Sequence, residues 1–247
     1  MRMAKSVLQG ATRFLWAGFA AGLVRLLLIS TGGVAVAGTG AAASQGDVPL
    51  NAYIAHVGWR FVRSAHNSTQ LCVGDGSAVY LGGNRFLTAA HVVDQNPFTD
   101  PCAEYGVAGI VIEFGDAKLA ATIVQMTMWE RIPAGLGYRD GVDLAILQVD
   151  QRMIPPEQRE LAGIEVCDGD LRAGEAVSVA AQYGLYTART QRRQVEGLSR
   201  VDLPARPGTS GSGVFDPVRW CLLGILSSGD FQGANYVPTG KVRVFLG

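Results

Sequence analysis

Three short segments of this chain carry residue types that together perform nucleophilic acyl chemistry. They are Leu87-Thr88-Ala89-Ala90-His91-Val92-Val93, Gly141-Val142-Asp143-Leu144-Ala145-Ile146-Leu147 and Pro207-Gly208-Thr209-Ser210-Gly211-Ser212-Gly213. A serine hydroxyl is a weak nucleophile at neutral pH and needs a base within hydrogen-bond reach. His91 suits that task because imidazole titrates near neutrality. A carboxylate must hold the other ring nitrogen and stabilise the imidazolium, and Asp143 stands where an apolar strand begins. The glycines around Ser210 let the backbone turn sharply and aim the N–H groups of Gly208 and Ser210 at a developing oxyanion. Ser212 is the competing serine, but choosing it would lose the glycine from the oxyanion position. Each segment alone is ordinary: a strand running into a turn, a strand start, a flexible glycine turn. Their joint occurrence in the order His, Asp, Ser carries the reading.

The elements that must position these residues are short strands. Residues 77–81, 109–114, 144–149, 176–180 and 221–226 are rich in Val, Ile and Leu and bounded by Gly, Pro or Asp, the pattern of β-strands. Helical periodicity is scarce, with short turns expected only at 157–161 and 241–246. Many short strands with glycine-rich turns give an all-β sandwich or barrel. Pro155-Pro156 is the expected linker between two comparable halves.

The chain has 247 residues, 48% hydrophobic, with a net charge of zero. That hydrophobic fraction excludes a disordered chain, and the absence of a basic excess argues against nucleic acid as a partner. The zero is a sum of unlike parts. Residues 1–43 hold Arg2, Lys5, Arg13 and Arg25 and no acid, leaving 17 basic and 21 acidic residues beyond them, a net charge of −4. A basic start, an apolar middle and small residues before Ala37 or Ala43 predict a signal peptide cleaved after one of them. Export to a secreted or periplasmic location follows from it. A membrane association is expected only if this segment is retained, and Arg25 would make it a poor anchor.

In an oxidising compartment Cys72, Cys102, Cys167 and Cys221 pair rather than bind metal. Nearest-neighbour bridges, Cys72–Cys102 and Cys167–Cys221, keep each loop mostly within one half. No Cys-x-x-Cys occurs and no cysteine lies near a histidine at ligand spacing, so no metal is expected. His56, His66 and the pair Arg192-Arg193 read as surface residues.

Taken together, the motifs resemble those of the trypsin/chymotrypsin-like serine proteases, over roughly residues 50–247. Thr88-Ala89-Ala90-His91 matches the segment around the family's base. Asp143-Leu144-Ala145-Ile146-Leu147 matches the segment of its orienting acid, and Gly208-Thr209-Ser210-Gly211-Ser212-Gly213 that of its nucleophile. Leu223-Gly224-Ile225-Leu226-Ser227-Ser228-Gly229 is similar to the strand that runs beside the substrate backbone. Ala173-Gly174-Glu175 is similar to the stretch that opens the second barrel. Val92-Val93 after the histidine resembles the bacterial V8/HtrA-like branch, expected here without a PDZ domain.

The resemblance implies two antiparallel six-stranded β-barrels, one over 44–155 with His91 and Asp143 and one over 156–247 with Ser210. It implies a serine endopeptidase acting on proteins or peptides through an acyl-enzyme, as a monomer and without cofactors. Thr209 stands where digestive members carry an aspartate that receives a new N-terminus, so activation by that insertion is not expected. Pro204 and Ala205 fall at the base of the specificity pocket, with Ser227, Ser228, Gly229 and Ala234 on its wall. No acid occupies the base, which implies a small or apolar side chain in the pocket. Asp202, two positions away, could enter it only through a register shift.

Two other classes fit the sequence less well. An α/β-hydrolase needs Gly-x-Ser-x-Gly, the order Ser, Asp, His and alternating helices, and the chain has none of these. A catalytically silent protease-like binding module usually lacks a triad member, and here all three residue types are present.

Overall fold

Strands form where Val, Ile and Leu either alternate with polar residues or run together. The computed structural model describes residues 48–65, 68–94, 109–132, 135–193, 195 and 197–247, with at most the backbone at 59–73 and 131–136. The expected signal peptide, His66, Cys102 and the side chain of Cys72 lie outside the described residues. Before residue 156 the strands are β1 (Ile54–Ala65), β2 (Ser68–Tyr80), β3 (Arg85–Thr88), β4 (Gly109–Phe114), β5 (Ala117–Met126), β6 (Trp129–Ile132), β7 (Gly135–Tyr138) and β8 (Ala145–Val149). Six of them close an antiparallel barrel in the order β1-β2-β3-β8-β5-β4, while β6 and β7 form a separate hairpin. After it come β9 (Ala176–Ala181), β10 (Gly184–Gln191), β11 (Ser199–Val201), β12 (Gly213–Asp216), β13 (Cys221–Asp230) and β14 (Gly233–Pro238). These close a second six-stranded barrel in the order β10-β11-β14-β13-β12-β9. The all-β, two-barrel expectation is borne out.

Alternation decides which faces are buried. In β4, Ile110, Ile112 and Phe114 point inward and their neighbours do not, as a strand with one buried face requires. Tyr80, Phe86 and Phe114 meet at ring centroids 5.0–5.2 Å apart, the spacing that aromatic rings favour. Val177, Val179, Val201, Val214 and Leu223 fill the second barrel.

Helices are short: α1 (Ala90–Val93), α2 (Pro156–Arg159) and α3 (Thr239–Leu246). Pro156 opens α2 where its missing N–H is harmless. Val242 of α3 is buried, and Thr239 donates its hydroxyl to the carbonyl of Leu223 on β13. The bridge Cys167–Cys221 is present, with Cα atoms 5.0 Å apart; it fixes the segment before β9 to the start of β13.

Register brings two of the three chemical segments together. β3 pairs with β8 so that Thr88 faces Ala145. Antiparallel pairing then leaves His91, just past β3, and Asp143, just before β8, at the same barrel end. Ser210 lies between β11 and β12, and its carbonyl accepts from the N–H of Ser77 on β2 at 2.7 Å. Gly76 permits this approach. A Cβ there would sit 2.6 Å from Val92 Cγ1 and 3.0 Å from the Ser210 carbonyl oxygen.

Candidate active site

His91 sits on the first turn of α1, where its backbone and its ring both face Asp143. The His91 N–H donates to Asp143 Oδ1 at 2.9 Å, and Nδ1 lies 2.6 Å from Oδ2. Asp143 is buried, 3% exposed, whereas the His91 side chain keeps 32% of its surface. A carboxylate accepts and does not donate, so Nδ1 carries the ring proton and Nε2 presents a lone pair. Ser227 on β13 donates its hydroxyl to Asp143 Oδ2 at 2.6 Å. The second barrel therefore helps to hold the acid of the first.

A second carboxylate lies close by. Asp94 follows α1 and accepts from the Tyr138 hydroxyl at 2.8 Å. Burial, reinforced by the charge of Asp143, pushes Asp94 above the usual carboxylate range, against the Tyr138 bond and the His91 charge. Burial alone would lower the His91 pKa. The hydrogen bond and charge of Asp143, with the charge of Asp94, outweigh it and hold His91 above the ordinary histidine value.

The segment before Ser210 is a tight turn. The Thr209 N–H donates to the Arg206 carbonyl at 3.1 Å, and Gly208 has φ +81°. Proline followed by a positive-φ glycine is the type II pattern. That φ favours glycine at the second place, where a Cβ would also press on the ends of the Gln182 and Tyr183 side chains. The Gly208 carbonyl accepts from Ser77 Oγ and from Gln182 Nε2, both at 3.2 Å. Thr209 Oγ1 donates to the Arg206 carbonyl at 2.7 Å and accepts from the Arg206 N–H at 3.3 Å. Among the described residues, the N–H groups of Gly208 and Ser210 donate to nothing. Ser210 Oγ is half-exposed and makes no hydrogen bond to His91 among them.

A cavity of about 280 Å³ opens beside Ser210, lined in part by Ala205, Arg206, Ser227, Ser228, Gly229 and Ala234. Pro204 is exposed and is not among its lining residues. Asp202 also lies away from it, exchanging backbone and side-chain bonds with Arg189 on β10. Ser212 is fully buried, and its hydroxyl has no partner among the described residues. His56 is tied to Glu113 at 3.4 Å, and Arg193 to Asp170 at 3.3 Å. No group of three His, Cys, Asp or Glu among the described residues could hold a metal ion. Sequence reasoning missed Asp94 and the Ser227–Asp143 bond, since neither has a local signal.

A family model described as the trypsin-like peptidase domain matches residues 76–225. No curated protein matches the chain. Among solved structures, it is similar to three crystal structures of the protease Rv3671c of M. tuberculosis. The inactive form of a serine-to-alanine mutant has a TM-score of 0.54 at 17% identity, covering 80% of this chain and 86% of that one. The active form also gives 0.54 at 17%, covering 80% of each. A further inactive form gives 0.51 at 18%, covering 80% and 88%. At these identities the likeness is one of fold.

Proposed function

Because the chain belongs to the trypsin-like peptidase domain family and is a serine protease by that membership, we propose that His91, Asp143 and Ser210 are its base, orienting acid and nucleophile. In this reading His91 Nε2 takes the Ser210 proton while Oγ attacks the substrate carbonyl carbon. The N–H groups of Gly208 and Ser210 receive the oxyanion. His91 then gives its proton to the leaving amine, the C–N bond breaks, and an acyl-enzyme remains. Water repeats the sequence and frees the new carboxylate. The observation that carries the reading is the double grip of Asp143 on His91, which presets the tautomer with Nε2 open.

The N–H groups of Gly208 and Ser210, which have no partner among the described residues, support the oxyanion assignment. The cavity supports Ala205, Ser227, Ser228, Gly229 and Ala234 as substrate contacts. The domain division at residue 155 and export through residues 1–43 belong to the same proposal. The Cys167–Cys221 bridge fits an oxidising compartment, and no helix among the described residues is long and apolar enough to cross a membrane.

Peptide hydrolysis by Ser210→Ala, His91→Ala and the double variant tests the mechanism. Triad members act as a unit, so each single change should lower kcat by about 10⁴ or more, and the double change no further. Additive losses, or turnover that survives Ser210→Ala, would refute it and favour a binding module.

A further inference from the structure

We infer that the cavity beside Ser210 selects an acidic side chain in the residue whose carbonyl is attacked, in place of the small or apolar one that the sequence resemblance implies. This inference rests on Ser210 being the nucleophile. It begins with which groups in the cavity still have a hydrogen to give. The Ser227 hydroxyl is committed to Asp143, and the Thr209 hydroxyl to the Arg206 carbonyl. Ser228 differs: its oxygen accepts one bond, from Asn235, and its hydrogen has no acceptor among the described residues.

A polar ladder across four strands sets this up. Gln191 on β10 pairs with Arg200 on β11, Arg200 with Asn235 on β14, and Asn235 with Ser228 on β13. Arg200 is 2% exposed. It donates to Gln191 Oε1 and Asn235 Oδ1 at 3.1 Å, and to Asp230 Oδ1 at 2.6 Å. A guanidinium has donors only, so Asn235 must turn its oxygen towards it. Its amide nitrogen then donates to Ser228 Oγ at 3.2 Å. With one lone pair so engaged, the Ser228 hydroxyl hydrogen can be given to a cavity occupant. Each bond in such a chain polarises the next, and this one starts at a buried cation.

Charge points the same way. Arg206 lines the cavity, and its side chain has no acidic partner among the described residues. No carboxylate lines the cavity. The neighbouring acid, Asp230, is not among the lining residues, and its Oδ1 accepts from Arg200 and from the N–H groups of Gln232 and Gly233. A basic substrate side chain would meet no carboxylate in the lining and a residue of its own charge, Arg206. A carboxylate would meet the Ser228 hydroxyl as a donor and Arg206 as a charge of opposite sign.

The test compares peptides that differ only at this residue, carrying Asp, Glu, Ala, Leu or Arg, with fluorophosphonate labelling of Ser210 alongside. Asp or Glu should be cleaved at least about tenfold faster in kcat/KM than Ala or Leu, and Arg slowest. Ser228→Ala should cut the acidic-to-Ala ratio by about tenfold, and Ser228→Thr should keep it. Arg206→Gln should lower the ratio a few-fold, and added salt should lower it in the parent enzyme. A labelled Ser210 with Ala, Leu or Arg peptides cleaved as fast as acidic ones, or with no acidic peptide cleaved, overturns the inference and leaves the site assignment standing. A Ser210 that does not label removes the assignment itself.

Discussion

Ser227 Oγ on β13 lies 2.6 Å from Asp143 Oδ2, so a hydroxyl of the second barrel donates to the carboxylate that grips His91 from the first. The bond ties the orientation of the proposed base to the packing of one barrel on the other. Ser227→Ala should lower kcat/KM by about tenfold, the usual scale for a hydrogen bond to a charged group, with little change in thermal stability. Steady-state kinetics beside a melting curve checks this. Unchanged kinetics would show that His91 alone suffices to hold Asp143.

The pH dependence follows from His91. Its pKa is held above the ordinary 6.5 by Asp143 and Asp94 despite burial. Only the neutral ring can accept the Ser210 proton, so kcat/KM should fall as pH drops through a midpoint above 6.5. Asp94 favours the imidazolium. Asp94→Asn should therefore move the midpoint to lower pH and extend activity into acid. A midpoint that stays or rises would contradict the charge argument.

Thr209 braces the turn that carries the Gly208 N–H. Thr209→Val deletes both side-chain bonds to Arg206 while keeping the shape. We expect kcat to fall by about tenfold, below the 10²–10³ typical when an oxyanion donor is lost outright, with KM little changed. Thr209→Ser should restore it. An equal rise in KM would assign Thr209 to substrate binding instead.

The Cys167–Cys221 bridge closes a loop of 54 residues. In the chain-entropy account such a loop contributes about 4 kcal/mol. Replacing both cysteines with alanine should lower the melting temperature markedly, and an unchanged melt would refute a stabilising role.

What was legible in the sequence had local chemistry. Thr88 to His91, Asp143 to Leu147 and the Gly208–Gly213 turn announce themselves because their residue types are set by backbone turns and proton transfer. The runs at 109–114 and 176–180 became β4 and β9 because their buried faces are apolar. β1, β5, β10, β11, β14 and most of β2 fall outside the expected ranges; on β10, Thr187, Arg189 and Gln191 are polar and its pairing is decided by β9 and β11. Ser227, Asp94, and the Arg200, Asn235 and Ser228 ladder were illegible for a related reason. Their roles depend on partners brought up by neighbouring strands or distant segments, as Ser227 to Asp143 and Arg200 to Asn235, 84 and 35 residues apart.

Fluorophosphonate labelling of the folded protein, read by peptide mass spectrometry, tests the central claim most directly. The account predicts a single adduct on Ser210, lost in His91→Ala and retained in Ser212→Ala, since the buried Ser212 hydroxyl has no partner among the described residues to lose. An adduct on Ser212, or none on Ser210 in protein that melts cooperatively, would contradict it.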